Sequence, residues 1–266
     1  MKKFLHISFI AILVAGTIIL LAFTDLEYQR KTCRSFRVDL FNASEQAMIT
    51  SAEITGLVIN KFGKIEGSPL AGVDLYQMEN TVLSSPYVSS CEVFQTMGGD
   101  LVLKARVREP LVRVFNQENE QYYLDMTGCV MPVSNAHPSH VLIASGFITD
   151  KFVSLDKSER SLNAYPDSSV LHMVFPVAYY ISKDDFLKSF IDQIYITERK
   201  EIELVPKIGS QIIIFGDATD AHEKLQNLKT FYQKIMSNID WNTYKSINLK
   251  YKNQVVCLKH IEYEQD

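Results

Sequence analysis

Hydrophobic and polar positions change period several times along this chain, and each change marks an element. Phe4 to Phe23 is a run of 20 residues without Asp, Glu, Lys or Arg, and sixteen of them are apolar. As a helix this run spans roughly 30 Å, the thickness of a bilayer core. Alternation takes over at Ser35–Phe41 and predicts a strand. Ile54, Leu57, Val58 and Phe62 then share one helical stripe, which predicts a helix over 49–62 that stops at Gly63. Asp74 caps a second helix through Leu83, with Leu75, Met78, Val82 and Leu83 facing inward, and Ser85-Pro86 stops it. Val88–Thr96 and Leu101–Val107 flank the turn Met97-Gly98-Gly99-Asp100 and read as a hairpin. Strand, helix, helix, strand, strand make an α+β unit, with two helices on one face of a three-stranded sheet.

Arg108-Glu109-Pro110 marks a boundary, since proline interrupts ladder bonding. Beyond it the pattern is mostly strand: Val112–Phe115, Tyr122–Asp125, Val130-Met131 after the Thr127-Gly128 turn, and Val141–Ala144. Ser168–Ser182 reads as a helix, with a second short one over Lys183–Ser189. Gln193–Thr197, Glu201–Val205 and Gln211–Phe215 are three further strands. Leu225, Leu228, Phe231, Tyr232 and Ile235 place a late helix over Asp220–Ser237, and Ser246–Leu258 reads as one long closing strand.

The charge balance narrows the function. With 27 Lys and Arg against 31 Asp and Glu, the 266-residue chain carries a formal charge of −4, without the basic excess of a nucleic-acid binder. Lys2 and Lys3 before the apolar run favour a cytoplasmic N-terminus. Arg30, Lys31, Arg34 and Arg37 after it oppose that orientation, but long C-terminal domains translocate largely regardless of such charges. The alternative to an anchor is a cleaved signal peptide. Its apolar region would run about 7–15 residues, and Ala22-Phe23-Thr24 is a poor cleavage site. Both readings export residues 25–266, away from cytoplasmic ATP and nicotinamide pools. Cys33, Cys91, Cys129 and Cys257 are too widely spaced for a zinc site. One disulfide is open to them in an oxidising compartment, though free thiols fit the strand positions of Cys91 and Cys257 better.

Candidate chemistry is thin. Ser154-Leu-Asp-Lys157 fits the S-x-x-K of penicillin-binding enzymes, but the K-T-G and S-D-N companions are missing. His137-Pro-Ser-His140 pairs two imidazoles in a loop without a third ligand. Asp217, Asp220, His222 and Glu223 read as the polar start of the late helix, and Asp184-Asp185 as the start of the short helix before it. Tyr122-Tyr123 and Tyr179-Tyr180 read as core positions rather than binding platforms. Trp241 reads as packing on the late helix, with a partner hot spot as its alternative. No catalytic residue, cofactor or metal site is expected.

Several stretches together resemble one known family. They are Gly67–Leu75 with Met78-Glu79, Leu83–Val88, Leu101–Pro110, Arg113-Val114, Tyr122–Gly128, Met131–Ser134, Val205–Gly209, Ile214–Gly216, Lys224-Leu225, Phe231-Tyr232 and Ile247–Cys257. In order and spacing this set resembles the FtsQ/DivIB bacterial division proteins, in the version of the Bacteroidetes group. The resemblance implies a cytoplasmic tail (1–3), a transmembrane helix (4–23), a juxtamembrane connector (24–34), a POTRA domain (35–109, βααββ) and a mostly antiparallel β domain with a late helix (110–266). It further implies a non-enzymatic scaffold of the septal complex, single-pass in the inner membrane at the division site. Its partners would be small coiled-coil proteins of the FtsB and FtsL type. Two alternatives stand beside it: another exported POTRA-type module acting in outer-membrane assembly, or a cell-wall enzyme using Ser154 and Lys157.

The resemblance also implies where the partner docks: by strand addition beside the last strand of the β domain. Physical chemistry agrees that an edge strand offers unpaired N–H and C=O groups to a partner. On the long-strand reading Ile247, Leu249, Tyr251, Asn253, Val255 and Cys257 share one face, which mostly faces the core, leaving Lys250, Lys252 and Gln254 open to an acidic segment. The expected docking residues are Lys250, Tyr251, Lys252, Asn253, Gln254, Val255 and Val256. The competing expectation is an ordinary terminal strand whose lysines guard it against aggregation.

Overall fold

The computed structural model describes residues 13–19, 31–42, 47–134, 137–152, 160–236, 239–241 and 243–260. Of the expected membrane segment, residues 13–19 are described and helical. The rest of 4–23, the tail 1–3 and residues 24–30 of the connector lie outside the described residues. Among the described residues no helix is long and apolar enough to cross a membrane, so the expected transmembrane helix is not found as such. The chain divides into two compact units between Val107 and Arg108.

In the first unit, β1 (Phe36–Phe41), α1 (Ser51–Phe62), α2 (Leu75–Leu83), β2 (Val88–Gln95) and β3 (Leu101–Val107) follow in chain order. β3 is central, parallel to β1 and antiparallel to β2. The helices begin where side chains can satisfy their free N–H groups. Thr50 and Glu53 form a reciprocal capping box on α1, and Asp74 accepts from the Gln77 N–H on α2. Gly63 closes α1 at φ +76°, a conformation other residues rarely adopt. Ile54 and Val58 of α1, Met78 and Val82 of α2, and Leu101 and Leu103 of β3 are all buried. Leu75, expected in the core, is only half-buried at the first position of α2. Glu79 on α2 accepts the Val93 N–H at 2.8 Å, which ties the helix to β2.

The second unit runs from Arg108 through β4 (Pro110–Phe115), β5 (Gln121–Asp125), β6 (Val130–Pro132), β7 (Leu142–Gly146), α3 (Leu171–Ser182), α4 (Asp185–Phe190), β8 (Ile191–Ile196), β9 (Ile202–Pro206), β10 (Ile212–Gly216), α5 (Ala221–Lys234), β11 (Tyr244–Asn248) and β12 (Val256–Lys259). Its nine strands form one sheet, ordered β12-β11-β10-β9-β8-β7-β4-β5-β6. Most neighbours are antiparallel, but β4/β7, β7/β8 and β10/β11 are parallel. Parallel neighbours need a crossover rather than a tight turn. α3 and α4 supply it between β7 and β8, and α5 between β10 and β11. Val174, Val177 and Ile181 of α3 join Leu225 and Leu228 of α5 in one core with Ile194, Leu204, Ile213 and Ile247 of the sheet. Pro110 opens β4, a first-residue position at which a missing N–H costs the ladder least.

The long closing strand is corrected. The stretch 246–258 is a hairpin: β11 and β12 pair antiparallel, with Ile247 opposite Cys257 and Asn248 opposite Val256. Asn253 sits at φ +58°, which Asn tolerates and an extended strand does not contain. The Lys250 N–H donates to Asn248 Oδ1 at 2.9 Å, an Asx turn that draws the chain out of the ladder.

Candidate docking edge

The crossover that brings β11 to the sheet is held by aromatic packing. Tyr232 on α5 lies 4.3 Å from the Phe190 ring and 5.7 Å from Trp241, centroid to centroid. Phe231 lies 5.9 Å from Tyr244, the first residue of β11. Trp241 therefore packs on the late helix, as its position suggested. The buried Gln211 Nε2 donates to the Tyr232 hydroxyl at 2.6 Å. Burial pushes that hydroxyl up to about 12, against the lowering effect of the Gln211 bond, so it stays protonated.

β11 enters beside β10 with Ile213 opposite Ile247, and the Leu249 N–H donates to Ile214 O at 2.9 Å. β12 then pairs with β11 alone and ends the sheet. Leu204, Ile213, Ile247 and Cys257 form one cross-strand row toward the helices; the first three are fully buried and Cys257 half-buried. Alternation puts their neighbours on the other face. There Leu258, Ser246 and Ile212 form one row, and Val256, Asn248 and Ile214 the next. Leu258 is 55% exposed, Ile212 47% and Val256 45%, and Val205 of β9 is exposed as well. The last edge strand thus exposes two apolar side chains, with Ile212 exposed on the same face beyond the polar Ser246.

The expected docking residues fall in two places. Lys250, Tyr251, Lys252, Asn253 and Gln254 form the hairpin turn, Val255 leads out of it, and Val256 begins β12. The turn and the start of α5 border a shallow depression of about 170 Å³ that Asp217 and Glu223 also line. Lys250, expected to be open to an acidic partner, is committed within the chain: its Nζ lies 2.7 Å from Glu201 Oε1. Its stem also explains Gly216, where a Cβ would come within 2.8 Å of Lys250 Cγ. Tyr251, expected to face the core, is exposed. Val256 is among the expected docking residues, whereas Leu258 and Ile212 are not; the apolar residues on the outward parity are the signal for them.

The other candidates fall at scattered places. Ser154 and Lys157 lie outside the described residues. His137 and His140 sit in a loop, and no group of three metal-ligating side chains gathers among the described residues. None of the four cysteines forms a disulfide with another. Tyr122 and Tyr123 are fully buried, Tyr179 is half-buried, and Tyr180 is exposed rather than a core residue. Asp184 caps α4 and pairs with Lys229 at 2.6 Å; that bond, followed by the backbone N–H groups of Leu187 and Phe186, holds its carboxyl below the ordinary value despite opposing desolvation. Asp217 is held low by Lys224 in the same way. Asp220 precedes α5 in the left-handed region at φ +54° and makes no side-chain cap. A pair that sequence reasoning missed joins two of the quoted motifs. Arg108 Nη1 donates at 2.7 Å to Oδ2 of Asp125, whose Oδ1 accepts from Thr127 and from the Cys129 N–H.

Comparison with known families agrees with this architecture. Residues 31–106 match the model of a POTRA-like domain. Residues 109–258 match a model described as FtsQ/DivIB, C-terminal related. No curated protein matched the chain. The second match alone covers more than half of the sequence and contains the whole nine-stranded sheet except the last residue of β12. The chain belongs to the FtsQ/DivIB family.

Proposed function

We propose that this protein is a non-enzymatic scaffold of the bacterial division complex, docking a small coiled-coil partner of the FtsB or FtsL type by strand addition along β12. Residues 4–23 anchor it in the inner membrane with the N-terminus in the cytoplasm, and both folded units lie outside. Family membership supports a division-related scaffold. The observation that carries the docking reading is the chemistry of the edge. Sheet edges are ordinarily blunted by charge, proline or a covering element. Here the edge strand presents Val256 and Leu258, both exposed, with Ile212 on the same face one strand further in, across Ser246. A strand added to β12 completes its hydrogen bonds, and apolar side chains on that strand cover Val256 and Leu258.

The docking emphasis therefore moves from Lys250 and Lys252 to Val256 and Leu258. Fully burying an exposed Val or Leu side chain is worth about 1.5–3 kcal/mol; Val256 and Leu258 are about half exposed, so covering each contributes about 0.7–1.5 kcal/mol, roughly three- to tenfold in affinity. The test is capture of the FtsB/FtsL-type partner by full-length protein, together with midcell localisation of a fluorescent fusion. Val256→Lys with Leu258→Lys should reduce capture by more than tenfold, and Lys252→Ala should leave it nearly unchanged. Wild-type capture by the double variant would place the docking site elsewhere, and a fusion spread evenly around the cell would refute the divisome assignment.

A further inference from the structure

The second unit holds another concave site, remote in sequence from the β11–β12 hairpin. A cavity of about 520 Å³ opens where β4, β7 and β8 begin, below the last turn of α3 and beside α4. That volume lies within the roughly 300–1,000 Å³ of typical ligand sites. Its floor is apolar: Leu111, Ala178, Ile181 and Ile191 are buried, and the half-buried Met126 and Leu142 complete it. Its rim carries both charges. Lys183, Lys188 and Lys207 are exposed, and none has an ion-pair partner among the described residues, whereas Lys224, Lys229 and Lys250 are each paired with a carboxylate; the Lys183 ammonium lies over the Tyr179 ring. Glu109 and Asp192 stand on the same rim.

We infer that this cavity binds an acidic peptide segment of a partner protein, with an aliphatic or aromatic side chain inserted between α3 and the strand starts. The ammonium groups of Lys188 and Lys207 receive the segment's carboxylates, and the apolar floor receives its anchor. The mixed rim selects a peptide over a fatty-acid amphiphile. A peptide brings backbone N–H groups from which Glu109 and Asp192 can accept hydrogen bonds, whereas an alkyl carboxylate brings no donor. Nothing in this inference depends on the β12 edge.

The experiment uses full-length protein in detergent micelles. Its probe is the fluorescein-labelled peptide Glu-Leu-Glu-Phe-Glu, followed by fluorescence polarisation. The matched probes are Glu-Ser-Glu-Ser-Glu, Lys-Leu-Lys-Phe-Lys and labelled decanoate. The acidic apolar peptide should bind at least tenfold more tightly than each of these. Lys188→Glu with Lys207→Glu should weaken it at least tenfold. Both changes are at exposed positions, and unchanged Trp241 emission verifies the fold. Val256→Lys with Leu258→Lys should leave it unaffected, which separates this site from the edge. Equal binding to the charge-reversed protein, stronger binding of decanoate, or no saturation at millimolar peptide would each overturn the inference.

Discussion

Asp125 is the residue whose loss should damage the second unit most for the fewest atoms removed. Its side chain is buried, with 3% of it exposed. Oδ2 accepts from Arg108 Nη1 at 2.7 Å; Oδ1 accepts from the Thr127 N–H at 2.8 Å, the Thr127 hydroxyl at 2.6 Å and the Cys129 N–H at 2.8 Å. Asp125→Ala leaves the Arg108 guanidinium without its carboxylate, a change that costs about 3–5 kcal/mol in buried pairs. It also strips two backbone donors of the turn between β5 and β6. Asp125→Asn keeps Oδ1 for that turn but points an NH₂ donor at the guanidinium, so the loss should be about 1.5–3 kcal/mol. The assay is urea unfolding followed by Trp241 emission. Trp241 is the chain's single tryptophan, and it packs on Phe190 and Tyr232, so it reports the second unit. With a urea slope of about 3 kcal/mol per molar, Asp125→Ala should lower the midpoint by about 1 M or more and Asp125→Asn by about half to one molar. Coincident midpoints for wild type and Asp125→Ala would refute the reasoning.

Three further outcomes are expected. Residues 31–107 should fold alone, and Leu103→Asp should abolish the cooperative thermal transition of that fragment by circular dichroism, since Leu103 is fully buried on the central strand; an unchanged melt would show that β3 faces the other way. Asp184, whose carboxyl titrates below the ordinary value of 3.8, contributes stability that is present above that value and lost as pH falls through its lower folded value. Asp184→Asn should therefore lower the Trp241 unfolding midpoint at pH 7 and make it less sensitive to acid below about pH 4; identical acid profiles would dismiss the Lys229 pair as a stabiliser. N-terminal sequencing of protein extracted from cells should find residues 4–23 still attached, and a mature start near Asp25 would mean a cleaved signal peptide.

The sequence made the elements legible where period and punctuation coincide. The Ile54–Phe62 stripe ending at Gly63, Asp74 and the Met97–Asp100 turn are local signals with local outcomes, so α1, α2 and the β2–β3 hairpin lie close to where the pattern puts them. The closing strand misled because alternation continues through Tyr251 while the polar run Lys250–Gln254 turns the chain. Asn253 was the available clue, since Asn is among the residues that tolerate φ above zero. The Arg108–Asp125 pair could not be read from either motif alone, because it is a tertiary contact across 17 positions. Sheet order was hidden for the same reason: nothing local tells β7 to lie between β4 and β8.

A closing hairpin also changes what a docking edge can be. A single long strand would owe its place to direct pairing along its whole length. β12 instead has four residues and pairs only with β11, which joins β10 in parallel across α5. The edge therefore inherits its position from the packing of α5 and from the Phe190, Tyr232 and Trp241 rings. A partner strand added there meets a short ladder, about the lower limit of strand length, so backbone bonds alone give it limited area. The exposed side chains of Val256, Leu258 and Ile212 supply what the short ladder lacks. Affinity in such an interface rests on how well the partner's apolar side chains fit these exposed ones, and the backbone ladder sets register.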